Sequence, residues 1–104
     1  MAEQGKLPYR AVAICGYRQR GRELYQKLLG EGIEIPYIIE RNYQALAVLE
    51  AGLGTEIVGF QKPADYYRRA EAILLSGDLP EGIVREALEL AGIEVPVITS
   101  MEEI

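Results

Sequence analysis

Five short apolar runs alternate with amphipathic segments along this chain of 104 residues, and that alternation constrains the fold more than any other feature. Runs of this length suit buried parallel strands joined by right-handed crossovers, with helices on both faces of the sheet. We therefore predict an α/β fold, a single Rossmann-like three-layer domain over residues 1–104 with a five-stranded parallel sheet in the order 3-2-1-4-5. The predicted strands are RAVAICG (10–16), IEIPYIIE (33–40), TEIVGF (55–60), EAILLSG (71–77) and EVPVITS (94–100).

The segments between the runs carry apolar residues at spacings of three and four, as amphipathic helices do. Asn42 is a suitable N-cap for the second of these segments. Asp78, with Glu81 three residues later, has the spacing of a capping box, so we expect Asp78 to begin the helix before the fifth strand. The predicted helices cover about residues 20–29, 42–52 and 79–91, with a short helix or turn over 63–69.

Composition excludes several classes of function. Apolar residues make up 49% of the chain and charged residues 26%, the balance of a globular domain. There is no histidine and one cysteine, Cys15, so a disulfide framework, the Ser-His and Cys-His nucleophile systems and the usual zinc spacings are all excluded. Ser76 has no partner base. We predict no catalytic residues and no metal site, and we expect Cys15 to be a small buried core residue.

Charge is distributed unevenly along the chain. The net charge of −5 argues against nucleic-acid binding, yet residues 1–27 hold six basic and two acidic residues. A local basic cluster on an acidic body suits a small anion better than a polyanion, and it is equally typical of ordinary solvated surface. No apolar run near the N-terminus is long enough for a signal peptide or a membrane span, so we expect a cytoplasmic protein without a membrane partner.

The sequence GYRQRG (16–21) follows the first strand and opens the first helix, which is the position of a dinucleotide-binding turn. Gly16 would allow the tight turn, and Gly21 would let the helix pack close to the strand. Arg18 stands where G-x-G-x-x-G has its second glycine, and Tyr17 and Arg20 complete the turn. Arginine can bind a phosphate or a carboxylate with two parallel hydrogen bonds, and the helix N-terminus supplies free N–H groups. The turn therefore predicts an anion site.

Two further loops should line the same crevice, at the switch point between the first and fourth strands. Glu40 ends the second strand, where a ribose-binding carboxylate belongs, and Arg41 beside it could tolerate a 2′-phosphate. Ser76, Gly77 and Asp78 follow the fourth strand. The candidate cofactor-binding residues are Gly16, Tyr17, Arg18, Arg20, Gly21, Glu40, Arg41, Ser76, Gly77 and Asp78.

The same residues also allow a structural interpretation. The glycines would then serve only the turn and the packing, the arginines would be solvated or paired with Asp78 and Glu81, and Glu40 would cap the next helix. The segment Tyr66–Arg69 likewise has two interpretations: an exposed edge used for self-association, or a loop whose tyrosines lie over the core.

The stretch VAICGYRQRGRELYQKLLGEGIEIPYIIERN resembles small Rossmann-like, NAD(P)-binding-like domains that occur with polysaccharide-biosynthesis and sugar-modifying enzymes, and AEAILLSGDLPEGIVREALELAGIEVPVIT fits the same pattern. In this resemblance Gly16 and Gly21 match the phosphate-turn glycines and Glu40 matches the acid after the second strand, whereas Arg18 departs from the middle glycine. The last third, through SGDLPE and VPVIT, is also similar to the leading domain of peptidoglycan precursor ligases, although those enzymes need further domains.

Together these features predict a non-catalytic domain that binds a nucleotide, a nucleotide-sugar or another small anion, with a link to sugar-nucleotide or polysaccharide metabolism implied by the resemblance. The cofactor is unknown, with NAD(P) or another nucleotide as candidates. Expected partners are a phosphate-bearing small molecule and a second copy or a partner enzyme. Two alternatives stay open: a protein-interaction or structural domain with a vestigial nucleotide site, and an NAD(P)-dependent enzyme acting with a partner.

Overall fold

A computed structural model describes residues 9–100 of the chain, so the tail after the fifth run lies outside the described residues. The described strands form one sheet in the order β3-β2-β1-β4-β5, and every neighbouring pair is parallel. The predicted α/β fold and strand order are confirmed. The strands are β1 (Val12–Cys15), β2 (Tyr37–Ile39), β3 (Glu56–Val58), β4 (Ala72–Leu75) and β5 (Val97–Ile98).

The helices fall between the strands, as predicted. They are α1 (Gln19–Gly30), α2 (Tyr43–Leu49), α3 (Ala64–Tyr67) and α4 (Glu81–Leu90). The N-cap position of α2 is Asn42, as predicted, although the Asn42 side chain donates and accepts no capping hydrogen bond. β2 begins directly after Pro36, because proline has no N–H to donate to the ladder.

Two apolar clusters lie on opposite faces of the sheet, and successive residues of β1 alternate between them. One cluster includes Tyr25 and Leu28 of α1, and the other includes Val84 and Leu88 of α4. β1 and β4 are buried along their whole length, which is why their sequences are continuously apolar instead of alternating. The central strand thus ends between two helical layers, directly below the turn that was predicted to bind an anion.

The tyrosines of α3 lie over the core. Tyr67 is fully buried, and its hydroxyl donates to the Gly59 carbonyl over 2.6 Å. The Tyr37 hydroxyl donates to the Tyr67 carbonyl over 2.7 Å. The Tyr66 ring packs against Tyr37 and lies under the Arg69 guanidinium, 4.6 Å from its carbon to the ring centroid. The interpretation of this segment as an exposed edge is therefore wrong for Tyr67.

Asp78 does not begin α4. That helix starts at Glu81 after Pro80, and its N-cap makes no side-chain hydrogen bond. Gly77, at φ +89°, turns the chain so that the Asp78 side chain faces the N-terminus of α1. The predicted capping box is wrong because the Asp78 carboxylate accepts three hydrogen bonds from backbone N–H groups at the other helix.

Candidate functional site

The two glycines of the turn have the structural roles that their positions predicted. Gly16 has φ +96°, and a Cβ built on it would lie 2.5 Å from the Ser76 hydroxyl oxygen. A Cβ on Gly21 would lie 2.0 Å from the Gly16 carbonyl oxygen. α1 therefore approaches the end of β1 so closely that position 21 accepts no side chain without movement of the backbone, while at position 16 the positive φ and the Ser76 side chain both disfavour one.

The N-terminus of α1 is occupied by a carboxylate of the same chain. Asp78 Oδ2 accepts hydrogen bonds from the backbone N–H groups of Arg18 (2.9 Å) and Gly21 (2.8 Å), and Oδ1 accepts one from Arg20 (3.2 Å). The Ser76 hydroxyl lies 3.2 Å from Oδ2 as a donor and accepts the Asp78 N–H over 3.1 Å. The donors that would hold a phosphate at such a turn are thus already bound to a negative charge.

Two opposing effects act on the pKa of Asp78. Partial burial raises it, and the hydrogen bonds from Gly21, Arg18, Arg20 and Ser76 lower it, with a net result below the ordinary value of an aspartate. The carboxylate is therefore ionised at neutral pH. A phosphate approaching this helix end would have to displace Asp78 and overcome its repulsion.

Glu40 directly follows β2, one residue beyond the strand end, and it holds the turn from the other side. Its side chain is buried, at 2% exposure, and Oε2 accepts the backbone N–H of Tyr17 over 2.8 Å. Burial, together with the nearby charge of Glu40, raises the pKa of the Cys15 thiol to about 12. Cys15 is therefore the inert core residue that the sequence predicted.

Among residues 9–100, no arginine side chain of the turn forms an ion pair with Asp78. Arg22 pairs with Glu50 at 2.5 Å and lies over the Tyr17 ring, 5.1 Å from its centroid. Arg18 and Arg20 are exposed, and the Arg20 guanidinium covers Gly77, where a Cβ would come within 2.8 Å of it. The alternative in which arginine side chains pair with Asp78 is wrong, because that carboxylate binds backbone instead.

Glu81 pairs with Arg85 of its own helix, over 2.7 Å, and not with an arginine of the turn. Both side chains are about half exposed, so this pair belongs to the outer surface of α4.

A cleft of about 560 Å³ opens between the loops that follow β2 and β3 and the face of α4. Four of its lining residues carry polar side-chain atoms: Arg41, Tyr43, Gln61 and Glu86. Its apolar wall is formed by Phe60, Leu79, Ile83, Val84, Ala87 and Leu90. Of the predicted site residues, Arg41 is the one that lines this cleft.

Sequence reasoning did not find this cleft. The apolar stripe of α4 predicts that Ile83 and Val84 both face the core, yet Ile83 is 52% exposed and Leu90 82%. α3 has only four residues, so the face of α4 beside Phe60 is left open. The sequence signal for the cleft was that α4 carries more apolar residues than one buried stripe of a helix needs.

Two smaller cavities flank the turn. One of about 90 Å³ is lined by Tyr17, Arg18, Glu40 and Leu46 among others, and one of about 240 Å³ includes Arg20, Lys27 and Ser76. The turn residues are thus divided between two shallow spaces and do not surround one ligand-sized pocket.

Two further properties concern residues 9–100 only. No group of three or more His, Cys, Asp or Glu side chains there is placed to hold a metal ion. None of the helices in this range has the length and the apolar character needed to cross a membrane.

Comparison with known proteins gives a distant relative. No protein-family model matches the chain, and no solved structure matches it. A glutamyl-tRNA reductase from Methanopyrus kandleri is 25% identical over 101 residues, which is 92% of this chain and 25% of that protein. The chain therefore spans about a quarter of the length of this relative. The similarity and the sheet topology together indicate a Rossmann-like fold.

Proposed function

We propose that this chain is a binding module that holds a nucleotide in the cleft between the β2 and β3 loops and α4, and not on the glycine turn. The observation that carries the proposal is the position and character of the cleft, about 560 Å³ beyond the carboxyl ends of two parallel strands. Ligands of open parallel sheets bind at this edge, in largely apolar pockets of about 300–1,000 Å³ with a few polar groups.

The lining has the chemistry that a nucleotide needs. Phe60, Leu79 and Ile83 offer an apolar surface to a flat base, and stacking on an aromatic ring contributes about 1–3 kcal/mol per base. Gln61 and Glu86 can accept hydrogen bonds from base amino groups or ribose hydroxyls. Arg41 supplies a positive charge for a phosphate.

In this proposal the chain binds the nucleotide without converting it, and any chemistry comes from a second copy or a partner enzyme. The glycine turn then has a structural role: it fixes the position of the carboxyl end of β1 at the binding edge of the sheet. Glu40 and Asp78 hold the turn from both sides through backbone N–H groups. The link to polysaccharide biosynthesis rests on the sequence resemblance alone, and nucleotide-sugars therefore belong among the ligands to be tested.

The similarity to a reductase favours a second candidate function, the holding of a nicotinamide cofactor for a partner. A dinucleotide seated in the usual way would need the N–H groups that Asp78 occupies. The two candidates therefore differ in whether Asp78 has to move.

The proposal is tested by ligand-dependent thermal stabilisation and titration calorimetry with adenosine, AMP, NAD, NADP, a nucleotide-sugar and coenzyme A. Ile83→Glu places a carboxylate in the cleft, and Leu29→Glu is the matched control, because Leu29 is similarly exposed (47%) but lies on α1. We expect Ile83→Glu to weaken nucleotide binding at least about tenfold, a change of about 1.4 kcal/mol. The control should bind as the wild type does.

Two results would overturn the proposal. One is the absence of stabilisation by every compound of the panel. The other is binding that Ile83→Glu leaves unchanged, which would exclude the cleft as the site.

A further inference from the structure

We infer that the ligand of this cleft is a nucleoside monophosphate, whose single terminal phosphate is bound by Arg41, and not a dinucleotide. This inference rests on the proposed function, since it assigns the ligand class of the same cleft. It follows from three properties of the described residues: the state of the α1 N-terminus, the position of Arg41 and the charges of the cleft lining.

The first property is that the backbone donors of the turn are taken. A diphosphate bridge between two nucleosides is normally held by several N–H groups at a helix N-terminus. Here the N–H groups of Arg18, Arg20 and Gly21 point at Asp78, and that of Tyr17 at Glu40. A bridging diphosphate that reached this helix end would find these N–H groups already bound to carboxylates.

The second property is the position of Arg41. Its neighbour Glu40 is buried and bonded to the Tyr17 N–H, so the backbone from which Arg41 projects is fixed at the mouth of the cleft. Arg41 is exposed, and it forms no ion pair with any of residues 9–100. A guanidinium in this state can form two parallel hydrogen bonds with the oxygens of a terminal phosphate.

The third property is the charge of the lining. Among the described residues that line the cleft, Arg41 carries a positive charge and Glu86 carries a negative charge. Glu86 belongs to α4 and Arg41 to the loop after β2, so the two charges mark different walls of the cleft. A ligand with one anionic end and a neutral base and ribose fits this pattern, with the phosphate on the Arg41 wall and amino or hydroxyl donors on the Glu86 wall.

The test uses calorimetric titration of the full chain with adenosine, AMP and NAD. We expect AMP to bind about tenfold or more tightly than adenosine, and more tightly than NAD. Arg41→Gln should remove the advantage of AMP over adenosine, so that the ratio of the two affinities falls to about one. Arg41→Lys keeps the positive charge but lacks the planar guanidinium that forms two parallel hydrogen bonds, so it should retain part of the preference for AMP over adenosine. Arg85→Gln is the control, because Arg85 is a half-exposed arginine of α4 outside the cleft.

A further variant tests the role assigned to Asp78. Asp78→Asn removes the negative charge from the α1 N-terminus, so NAD binding should strengthen while AMP binding stays the same. Circular dichroism of each variant establishes that it is folded before its affinities are compared.

The outcomes separate the inference from the proposed function. If NAD binds more tightly than AMP to the wild type, or if adenosine binds as tightly as AMP, the inference is wrong while the cleft remains a nucleotide site. If none of the three compounds binds, the proposed function fails and the inference fails with it.

Discussion

Replacing Asp78 by alanine tests the central feature of the turn, the internal carboxylate at the N-terminus of α1. The change removes the acceptor of three backbone N–H groups. Arg18 and Arg20 are exposed, so water can replace the carboxylate there, whereas Gly21 is buried. Loss of a helix cap costs about 1 kcal/mol, and a buried N–H without an acceptor adds about 1–2 kcal/mol. We expect the free energy of unfolding to fall by about 2–3 kcal/mol.

The assay is chemical denaturation at pH 7, followed by thermal unfolding. For a domain of this size 1 kcal/mol corresponds to about 4–5 °C, so the Tm should fall by roughly 10 °C. Asp65→Ala is the control, since Asp65 is 87% exposed and, within residues 9–100, its side chain pairs with Arg68 alone, and the change should cost less than about 0.5 kcal/mol.

An anion makes the test specific to the helix end. Sulfate should restore stability to Asp78→Ala more than to Asp65→Ala, because only the former frees the N–H groups of α1. If Asp78→Ala is as stable as the control variant, or if sulfate acts equally on both, the carboxylate does not hold the turn and the reasoning from these hydrogen bonds is refuted.

Three further predictions concern the same region. The pKa of Asp78 is lowered in the folded state, so the stability that the Asp78 carboxylate contributes is present above about pH 4 and is lost as the pH falls through the folded-state pKa. The stability of Asp78→Asn, measured by denaturation, should therefore depend less on pH below about pH 4 than that of the wild type. An equal pH dependence of the two proteins would contradict this prediction. Gly21→Ala should cost about 3 kcal/mol or more, because its Cβ would lie 2.0 Å from a backbone oxygen, whereas Gly30→Ala, where a Cβ meets nothing within 4 Å, should be neutral or stabilising in the same denaturation assay. Cys15 should fail to react with a thiol reagent at pH 8–9 until the chain unfolds, and rapid labelling of the folded protein would show that the thiol is accessible.

The fold could be predicted because local pattern and global topology agree. β1 and β4 are continuously apolar, as strands between two helical layers must be, and glycines mark the turns at their ends. Right-handed crossovers limit the strand orders that alternating strands and helices can take, and 3-2-1-4-5 is a common member of that set. Strand lengths were overestimated, because apolar residues continue into loops that pack on the core, as Ile33 and Ile35 do before β2.

The site was only partly predictable, because sequence spacing does not give the direction of a side chain. Asp78 stands at the spacing of a capping box, yet it bonds to a helix 57 residues or more earlier in the chain. Glu40 was placed correctly at the end of β2, but whether it faces a ligand or a backbone N–H depends on how closely the turn approaches it. The cleft depends on the absence of a longer α3, which no single residue signals.

The hydrogen bonds between Asp78 and α1 connect the two halves of the chain, the half that forms β1 to β3 and the half that forms β4 and β5. The first helix carries donors with no acceptor of its own, and the acceptor arrives only with the segment after β4. A chain cut in the loop before α3 would therefore give two fragments with complementary unsatisfied groups, one basic helix end and one loop carboxylate.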